Sequence, residues 1–453
     1  MATFLPAPAD WPRVLLARAE RPPEKRMTGK AGRWDASRSL ATAREAGAFE
    51  ALRHAIRDLG PSGTIATIAA SGLRGRGGAG FPTGEKWRAC ANTPGDAVVV
   101  ANGYGADPAS GTDRALLMAD PWAVIEGTAI AAYAVDASEA CIAVRGEDSE
   151  LIDRLESAVR TAEAAGLLSE DPDRGGWGVD VTVRPVQGAY MLGEETVLLK
   201  ALEGKRGQPE QRPPYPAQEG LFGRPTVVNN VQTLAAVPWI LREGPRAYAA
   251  IGSKASPGTI LVQVRGPNGD GIAEVPTGTP LRRLVELAGG LAAGHQLKAL
   301  LVGGPSGGLL PADALDTPYE FDALRAAGAH VGSGSVVIAD DRACVADLAR
   351  ILTRYCAEEA CGKTIPCRIG LRRLAEMAER ITTGHPQADD VAVMTDLSHD
   401  VVASGLCDHE RLATLSLTAG LRYFRSELDE HLLRSSCPAG VCRPIAVTAA
   451  VAT

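Results

Sequence analysis

Asp96-Ala-Val-Val-Val-Ala101 and Ala140-Cys-Ile-Ala-Val144 are short, almost wholly apolar runs. Between them lies Trp122–Val135, and after them Asp148–Ala165, two stretches that read as helices. An apolar run without alternation is the mark of a strand buried on both faces. Strands of that kind alternating with helices predict an α/β layer with a parallel sheet.

The pattern changes on either side of this layer. Residues 1–60 are charged, with Pro and Arg early and an amphipathic helix expected around Ala48–Leu59. The start, MATFLPAPADWPRVLLARAERPPEKR, reads as a mobile arm, because no continuous apolar core of a signal peptide is present. Downstream, Thr259–Arg265 alternates like a strand and Glu274–Pro280 is rich in turn formers. Leu281–Ala288 reads as a short helix and Leu297–Val302 as a strand, which together make a small α+β module. Beyond about 338 the pattern is helical over Val345–Glu359, Ile369–Thr382 and Ala388–Ser404, predicting a helical bundle. The expected domains are an N-terminal arm and helix (1–60), an α/β domain (61–244), an α+β module (245–335) and a helical domain (336–453).

A chain of 453 residues exceeds one ordinary core. With 45% hydrophobic and 22% charged residues it is a globular composition, not a disordered one. The net charge of −7 argues against nucleic acid as the main partner. No stretch approaches the roughly 20 apolar residues that cross a bilayer, so direct membrane insertion is not expected and a cytoplasmic location is. In a reducing compartment the nine cysteines are buried thiols, reactive groups or metal ligands rather than disulfides.

Four motifs can carry chemistry. Ser71-Gly-Leu-Arg-Gly-Arg-Gly-Gly-Ala-Gly-Phe-Pro-Thr-Gly-Glu-Lys-Trp87 has five glycines in its first ten residues. Glycines let backbone amides turn onto an anion, and Arg76 and Lys86 add charge for a phosphate. The alternative is a tight solvent loop. In Gly188–Pro209, the acids Glu194 and Glu195 precede an apolar helix, either complementing its dipole or binding a sugar or nicotinamide. Asn229 and Asn230 in Thr226–Thr233 read first as helix caps, though an amide can also meet the polar edge of a ring. Finally, Cys361 and Cys367, with Cys407 about forty residues on, suggest a thiolate site for iron–sulfur or zinc. Cys437 and Cys442 form a further pair, either ligands or small residues in a turn. Cys90, Cys141, Cys344 and Cys356 read as core residues, and His409 stands out only for its nearness to Cys407.

In this order, and with Val275–Pro280 and Gly303–Gly308 between them, these motifs resemble one family over about residues 30–445. It is the NADH-binding, flavin-containing component of respiratory complex I (its F subunit) and the related diaphorase components of NAD-linked hydrogenases and formate dehydrogenases. The resemblance implies an FMN-binding α/β domain, a ubiquitin-like module and a C-terminal helical bundle with a [4Fe-4S] cluster. It implies a flavoprotein that oxidises NAD(P)H and passes electrons to iron–sulfur carriers. The partner would be a thioredoxin-like [2Fe-2S] subunit, a ferredoxin or a dehydrogenase subunit, in the cytoplasm or at the edge of a membrane complex. By the same resemblance Gly75, Arg76, Gly77, Gly78 and Lys86 line FMN and its phosphate. Asn102, Tyr190, Gly193, Glu194, Asn229 and Asn230 complete the flavin pocket, and Phe81, Glu195 and Arg212 face NAD(H). Lys86 and Glu195 are the candidate catalytic pair, and Cys361, Cys367, Cys407 and Thr364 the candidate cluster ligands.

The sequence departs from the family at several of these places. Asn102–Ser110 carries Tyr104 and Gly105 where the family has acids, and Asp107 replaces a Glu. Ala89 stands where an aromatic is common, Arg212 where a Lys is usual, and Thr364 where the middle cysteine of the cluster motif belongs. Two alternatives follow from these departures. One is a catalytically degenerate flavin-binding or scaffold subunit of a larger redox complex. The other is an enzyme that takes electrons from ferredoxin.

Overall fold

In the computed structural model, which describes residues 3–19, 39–169 and 177–442, the two apolar runs are strands β1 (Val98–Asn102) and β2 (Glu139–Arg145). They pair in parallel with β3 (Asp180–Val186) and β4 (Thr226–Asn230), in the order β3-β2-β1-β4. Val99, Val100, Ala101 and Ile142 are fully buried, as runs apolar on both faces require. The helices Pro121–Ala134 and Ser149–Ala164 cross between strands where the sequence reading placed them. Pro121–Ala134 packs against Val231–Glu243 so closely that Gly127 touches the Leu234 carbonyl.

A second sheet follows, with β5 (Thr259–Gly266), β6 (Gly269–Pro276), β7 (Leu297–Val302), β8 (Gly308–Pro311) and β9 (Ser335–Asp340) in the order β8-β7-β9-β5-β6. Only β9 and β5 run parallel. The expectation of turns from Glu274 is corrected in part, since Glu274-Val-Pro276 ends strand β6. From Val345 onward the described chain is helical, including Val345–Glu359, Leu371–Thr382 and Asp390–Ala403.

The mobile-arm reading is overturned for residues 3–19; residues 20–38 lie outside the described residues. Leu5 N–H donates to Ile272 O (2.8 Å), and Ile272 N–H to Thr3 O (2.8 Å), so the arm lies along the edge strand β6. The amides of Val14, Leu15 and Leu16 all donate to the buried Glu274 carboxylate, at 2.7, 2.8 and 2.9 Å. Arg18 is buried against Asp120 (3.0 Å) and Glu126 (3.2 Å). Sequence hydropathy missed this because the partners lie more than a hundred residues away.

Among the described residues no single helix is long and apolar enough to cross a membrane. Thr112–Ala119 and Pro121–Ala134 pass that test together, but they meet at 97° and Pro121–Ala134 is buried in the core.

Candidate functional site

In a parallel sheet, ligands sit beyond the carboxyl ends of the strands. Here those ends place Asn102 and Asn230 side by side, because β1 and β4 pair in register. The glycine-rich loop closes on this edge, and a Cβ at Gly77 would lie 3.3 Å from that of Asn230. Gly78, at φ +110°, approaches the Gly332 carbonyl, where a Cβ would lie 3.3 Å away. The amides of Gly77, Gly78 and Ala79 have no acceptor among the described residues. Adjacent unpaired amides on a glycine-rich bend are what a phosphate group requires, so the loop fits the FMN phosphate.

Arg76 does not add to that cradle, which corrects the sequence-based expectation for its side chain. It is 1% exposed and points inward, donating to Thr259 O (3.0 Å), Pro257 O (2.5 Å) and the Tyr248 hydroxyl (3.1 Å). Its amide is also engaged, by Thr233 Oγ1 (2.8 Å). The charge was legible in the sequence; its burial among carbonyls was not.

Lys86, from helix Thr83–Ala91, reaches Glu195 Oε2 (2.8 Å) and Val228 O (3.1 Å). Arg212 contacts both Glu194 and Glu195, the latter at 3.1 Å. The two adjacent acids behave oppositely. Burial raises the pKa of Glu194, although Arg212 opposes it. Burial also raises that of Glu195, but Lys86 and Arg212 together bring it below the ordinary carboxylate range. Glu194 caps helix Glu195–Leu202 as well, accepting from Thr196 N (2.8 Å) and Val197 N (2.9 Å). The helix-end reading of that residue therefore holds.

The remaining expected residues divide. Asn229 is buried with its Oδ1 accepting from Trp87 Nε1 (2.8 Å). Asn230 caps Val231–Glu243 through Gln232 N (2.8 Å) and donates to Asp113 (2.7 Å). Asn102 accepts from Tyr104 N (3.2 Å). Tyr190 bonds through its hydroxyl to Ser306 (2.8 Å), and Gly193 lies against Ala106, where a Cβ would approach to 3.0 Å. Phe81 is 51% exposed at the loop's outer end. Tyr104 turns inward, 1% exposed, with the Arg145 guanidinium 4.7 Å above its ring. Asp107 is taken up as a tether, accepting from Ser333 (2.9 Å) and Ser335 (2.8 Å). Asp113 was not singled out in the sequence, being an isolated polar residue without a motif, and Ser306 entered only as part of Gly303–Gly308.

Cys361, Cys367 and Cys407 line one hollow together with Met191, Pro209, Thr364, His409 and Glu410. Burial, then the Glu410 carboxylate and the other thiols, pushes the Cys367 thiol up to about 12. A metal cluster would therefore have to displace the proton from the Cys367 thiol. The three cysteines fit an iron–sulfur cluster, and Thr364, the candidate for the middle ligand position, lines the same hollow. Its hydroxyl donates to Glu410 Oε1 (2.7 Å), and Glu410 Oε2 is taken by Leu406 N (2.7 Å). His409 is 7% exposed, its Nε2 faces Cys356 O (3.0 Å), and its Nδ1 has no partner among the described residues.

A parallel sheet with an anion-binding loop at its edge, beside a thiolate hollow, defines a class of flavin and iron–sulfur electron carriers. The Nuo51 FMN-binding domain matches residues 68–239, and the iron–sulfur binding region of NADH-ubiquinone oxidoreductase-F matches residues 347–431. The chain is 39% identical over 409 residues to the F subunit of NADH-quinone oxidoreductase from Streptomyces coelicolor, covering 89% of this chain and 91% of that one. It is 37% identical to the NADP-reducing hydrogenase subunit HndC of Solidesulfovibrio fructosivorans, covering 84% and 78%. A chain of an NAD+-reducing [NiFe]-hydrogenase superposes with a TM-score of 0.77 at 33% identity over 85% of this chain, which spans 64% of the hydrogenase chain. The chain belongs to the family of NADH-quinone oxidoreductase F subunits.

Proposed function

We propose that this chain is a flavoprotein electron-transfer subunit that oxidises NAD(P)H and passes electrons to iron–sulfur carriers in a partner redox subunit. One observation carries the proposal: the thiolate hollow is walled in part by the segments that flank Glu194 and Glu195. Met191 and Pro209, which line the thiolate hollow, flank the segment that bears Glu194 and Glu195. Gln208 donates to Cys361 O (3.2 Å), and Lys363 to Pro209 O (2.6 Å). Cys407 packs in one apolar cluster with Met191, Leu192 and Tyr104. When bound, FMN accepts a hydride and releases electrons singly, and a cluster carries them one at a time.

The chain's own residues set the stage for that chemistry. The unpaired amides of Gly77, Gly78 and Ala79 would hold the FMN phosphate, without help from the Arg76 side chain. Lys86 and Glu195 form a fixed ion pair at the pocket wall, a preorganised dipole that needs no rearrangement as charge develops. Lys86 and then Arg212 keep Glu195 ionised, and Arg212 gives the nucleotide a cationic neighbour. Phe81, exposed at the mouth, is the candidate surface for the dinucleotide.

At the cluster, Cys361, Cys367 and Cys407 are the thiolate ligands, and His409 Nδ1 is the fourth donor. The Cys356 carbonyl holds the ring by its other nitrogen, which fixes the tautomer that leaves Nδ1 free to ligate. Both Glu410 oxygens, by contrast, are occupied. Residues 61–244 form the FMN domain, 245–340 the ubiquitin-like module, since β9 belongs to the second sheet, and the helices from Val345 onward the cluster-bearing bundle. The partner is a thioredoxin-like [2Fe-2S] subunit, a ferredoxin or a dehydrogenase subunit, and the location is cytoplasmic or peripheral to a membrane complex.

The test is spectroscopic. Purified chain supplied with FMN should turn yellow, and NADH should bleach it. Lys86→Ala should weaken FMN retention by about tenfold or more, the loss of one charge-assisted contact. A yellow protein that only dithionite bleaches contradicts NAD(P)H oxidation and favours the ferredoxin alternative; a colourless, iron-free protein favours the scaffold. In His409→Ala, low-temperature EPR of the reduced protein should lose the four-iron signal, and an unaltered signal removes His409 as ligand.

A further inference from the structure

Far from the thiolate hollow, four side chains that the electron-transfer reading does not use come together. Cys344 caps the start of helix Val345–Glu359, His431 lies in helix Arg425–Arg434, and Cys437 and Cys442 flank the turn that follows. One ligand atom from each lies within 4.8 Å of all the others. Cys344 Sγ is 3.4 Å from His431 Nε2 and 3.6 Å from Cys442 Sγ. A tetrahedral ion with metal–sulfur bonds of ~2.3 Å and a metal–nitrogen bond of ~2.0 Å has S···S edges of roughly 3.8 Å and S···N edges of roughly 3.5 Å. The observed edges match those lengths. They do not match a disulfide, whose sulfurs lie ~2.05 Å apart.

The surroundings are also those of a ligand set. Two amides point at sulfur, Asp347 N toward Cys344 Sγ and Cys442 N toward Cys437 Sγ, each at 3.4 Å. Such N–H donors disperse thiolate charge. His431 Nδ1–H donates to Glu427 O (2.8 Å), which fixes the tautomer and turns Nε2 toward the cysteines. Glu427 is itself anchored, by Val345 N (2.7 Å) and Lys298 Nζ (2.7 Å). Gly440, at φ +67°, lets Cys437-Pro-Ala-Gly-Val-Cys442 double back so that both sulfurs face one point.

We propose that Cys344, His431, Cys437 and Cys442 bind one zinc ion in a closed, structural Cys3His site. Three soft thiolates and one imidazole in tetrahedral array suit zinc, and four protein ligands leave no open position for substrate. The ion joins the start of one helix, the end of another and the last described turn. The helix that begins at Cys344 ends beside Cys361, so the site braces the frame that carries the thiolate hollow from its opposite end.

The inference is independent of the flavin reading and is tested on the full chain, purified under reducing conditions from defined medium. Elemental analysis should find about one zinc per chain, separate from iron, and zinc-edge X-ray absorption should fit three sulfurs and one nitrogen. Cys437→Ser and Cys442→Ser lie on a surface turn, so neither opens a core void. Each should lower zinc content by about tenfold or more while iron and flavin stay unchanged. Chain that contains no zinc and takes up none when zinc chloride is supplied overturns the proposal. So does zinc that survives both substitutions, or a Cys344–Cys442 disulfide found by thiol counting. Iron that persists here after Cys361→Ser and Cys367→Ser overturns the choice of metal.

Discussion

Asp113 shows how one buried side chain sets the pocket's response to pH. It is almost wholly enclosed and accepts from Asn230 Nδ2 (2.7 Å) and Gln232 Nε2 (2.9 Å). Burial raises its pKa to about 6, and the two donors only partly counter that. Because the folded value lies above the unfolded one, protonation favours the fold. That contribution is complete below about pH 4 and is lost as the pH rises through about 6. A shift of two units corresponds to about 3 kcal/mol. Denaturant titrations of wild type and Asp113→Asn should therefore differ in wild type's favour by more at pH 4.5 than at pH 7. A difference independent of pH would mean that Asp113 titrates like an exposed acid. At this scale the sequence supplied identities and little else. Lys86 and Glu195 were legible as a charged pair of interest, and they meet. Arg76 carried the same signal, yet its guanidinium serves the interior. His409 drew notice only for standing near Cys407, and no periodicity could have revealed its unpartnered nitrogen.

Elements were more legible, for a physical reason. A strand buried on both faces must be apolar throughout, so β1 and β2 could be found from composition alone. Pro121–Ala134 could be found in the same way. Strand β6 was partly missed because Glu274 and Pro276 resemble turn residues, whereas Glu274 is a buried anchor for a distant segment. Cys437 and Cys442 stood out as a pair that could be ligands, but Cys344 read as core and His431 was not singled out, because Cys344 lies 98 residues from Cys442 and pairing at that range is a property of the fold. One close approach between elements can be tested directly. A Cβ at Gly127 would lie 2.0 Å from the Leu234 carbonyl oxygen, which is backbone and cannot rotate away. Gly127→Ala should force the two helices apart at a cost of about 3 kcal/mol, read as a lower denaturation midpoint. Because Val231–Glu243 starts at Asn230, the same displacement should also reduce FMN retention. A variant with an unchanged midpoint would show that this helix pair yields readily.

At the scale of the whole molecule, the N-terminal strap joins the two sheets. Val14, Leu15 and Leu16 lie in the core of the first sheet, and that core also contains Leu261 and Ile272 of the second. Three strap amides and the Thr259 hydroxyl (2.5 Å) converge on Glu274, a carboxylate that is 4% exposed. A carboxylate can accept all four bonds because both of its oxygens are acceptors. In Glu274→Gln one oxygen becomes an NH2 group, which must face donors. At least one strap amide then loses its acceptor inside the protein, at about 1–3 kcal/mol for each group left unsatisfied. The variant should unfold at lower denaturant, and amide exchange at Val14–Leu16 should accelerate well beyond that of β1. The same substitution bears on pH. Burial holds the Glu274 pKa above its ordinary value despite the amide bonds, so protonation favours the folded state and wild type gives up that share of stability as pH rises through the folded value. Glutamine cannot titrate, so the variant's deficit should shrink as the pH moves from acid to neutral. If Val14–Leu16 stay as protected in Glu274→Gln as in wild type, the strap is held by its apolar side chains alone, and Glu274 is not its anchor.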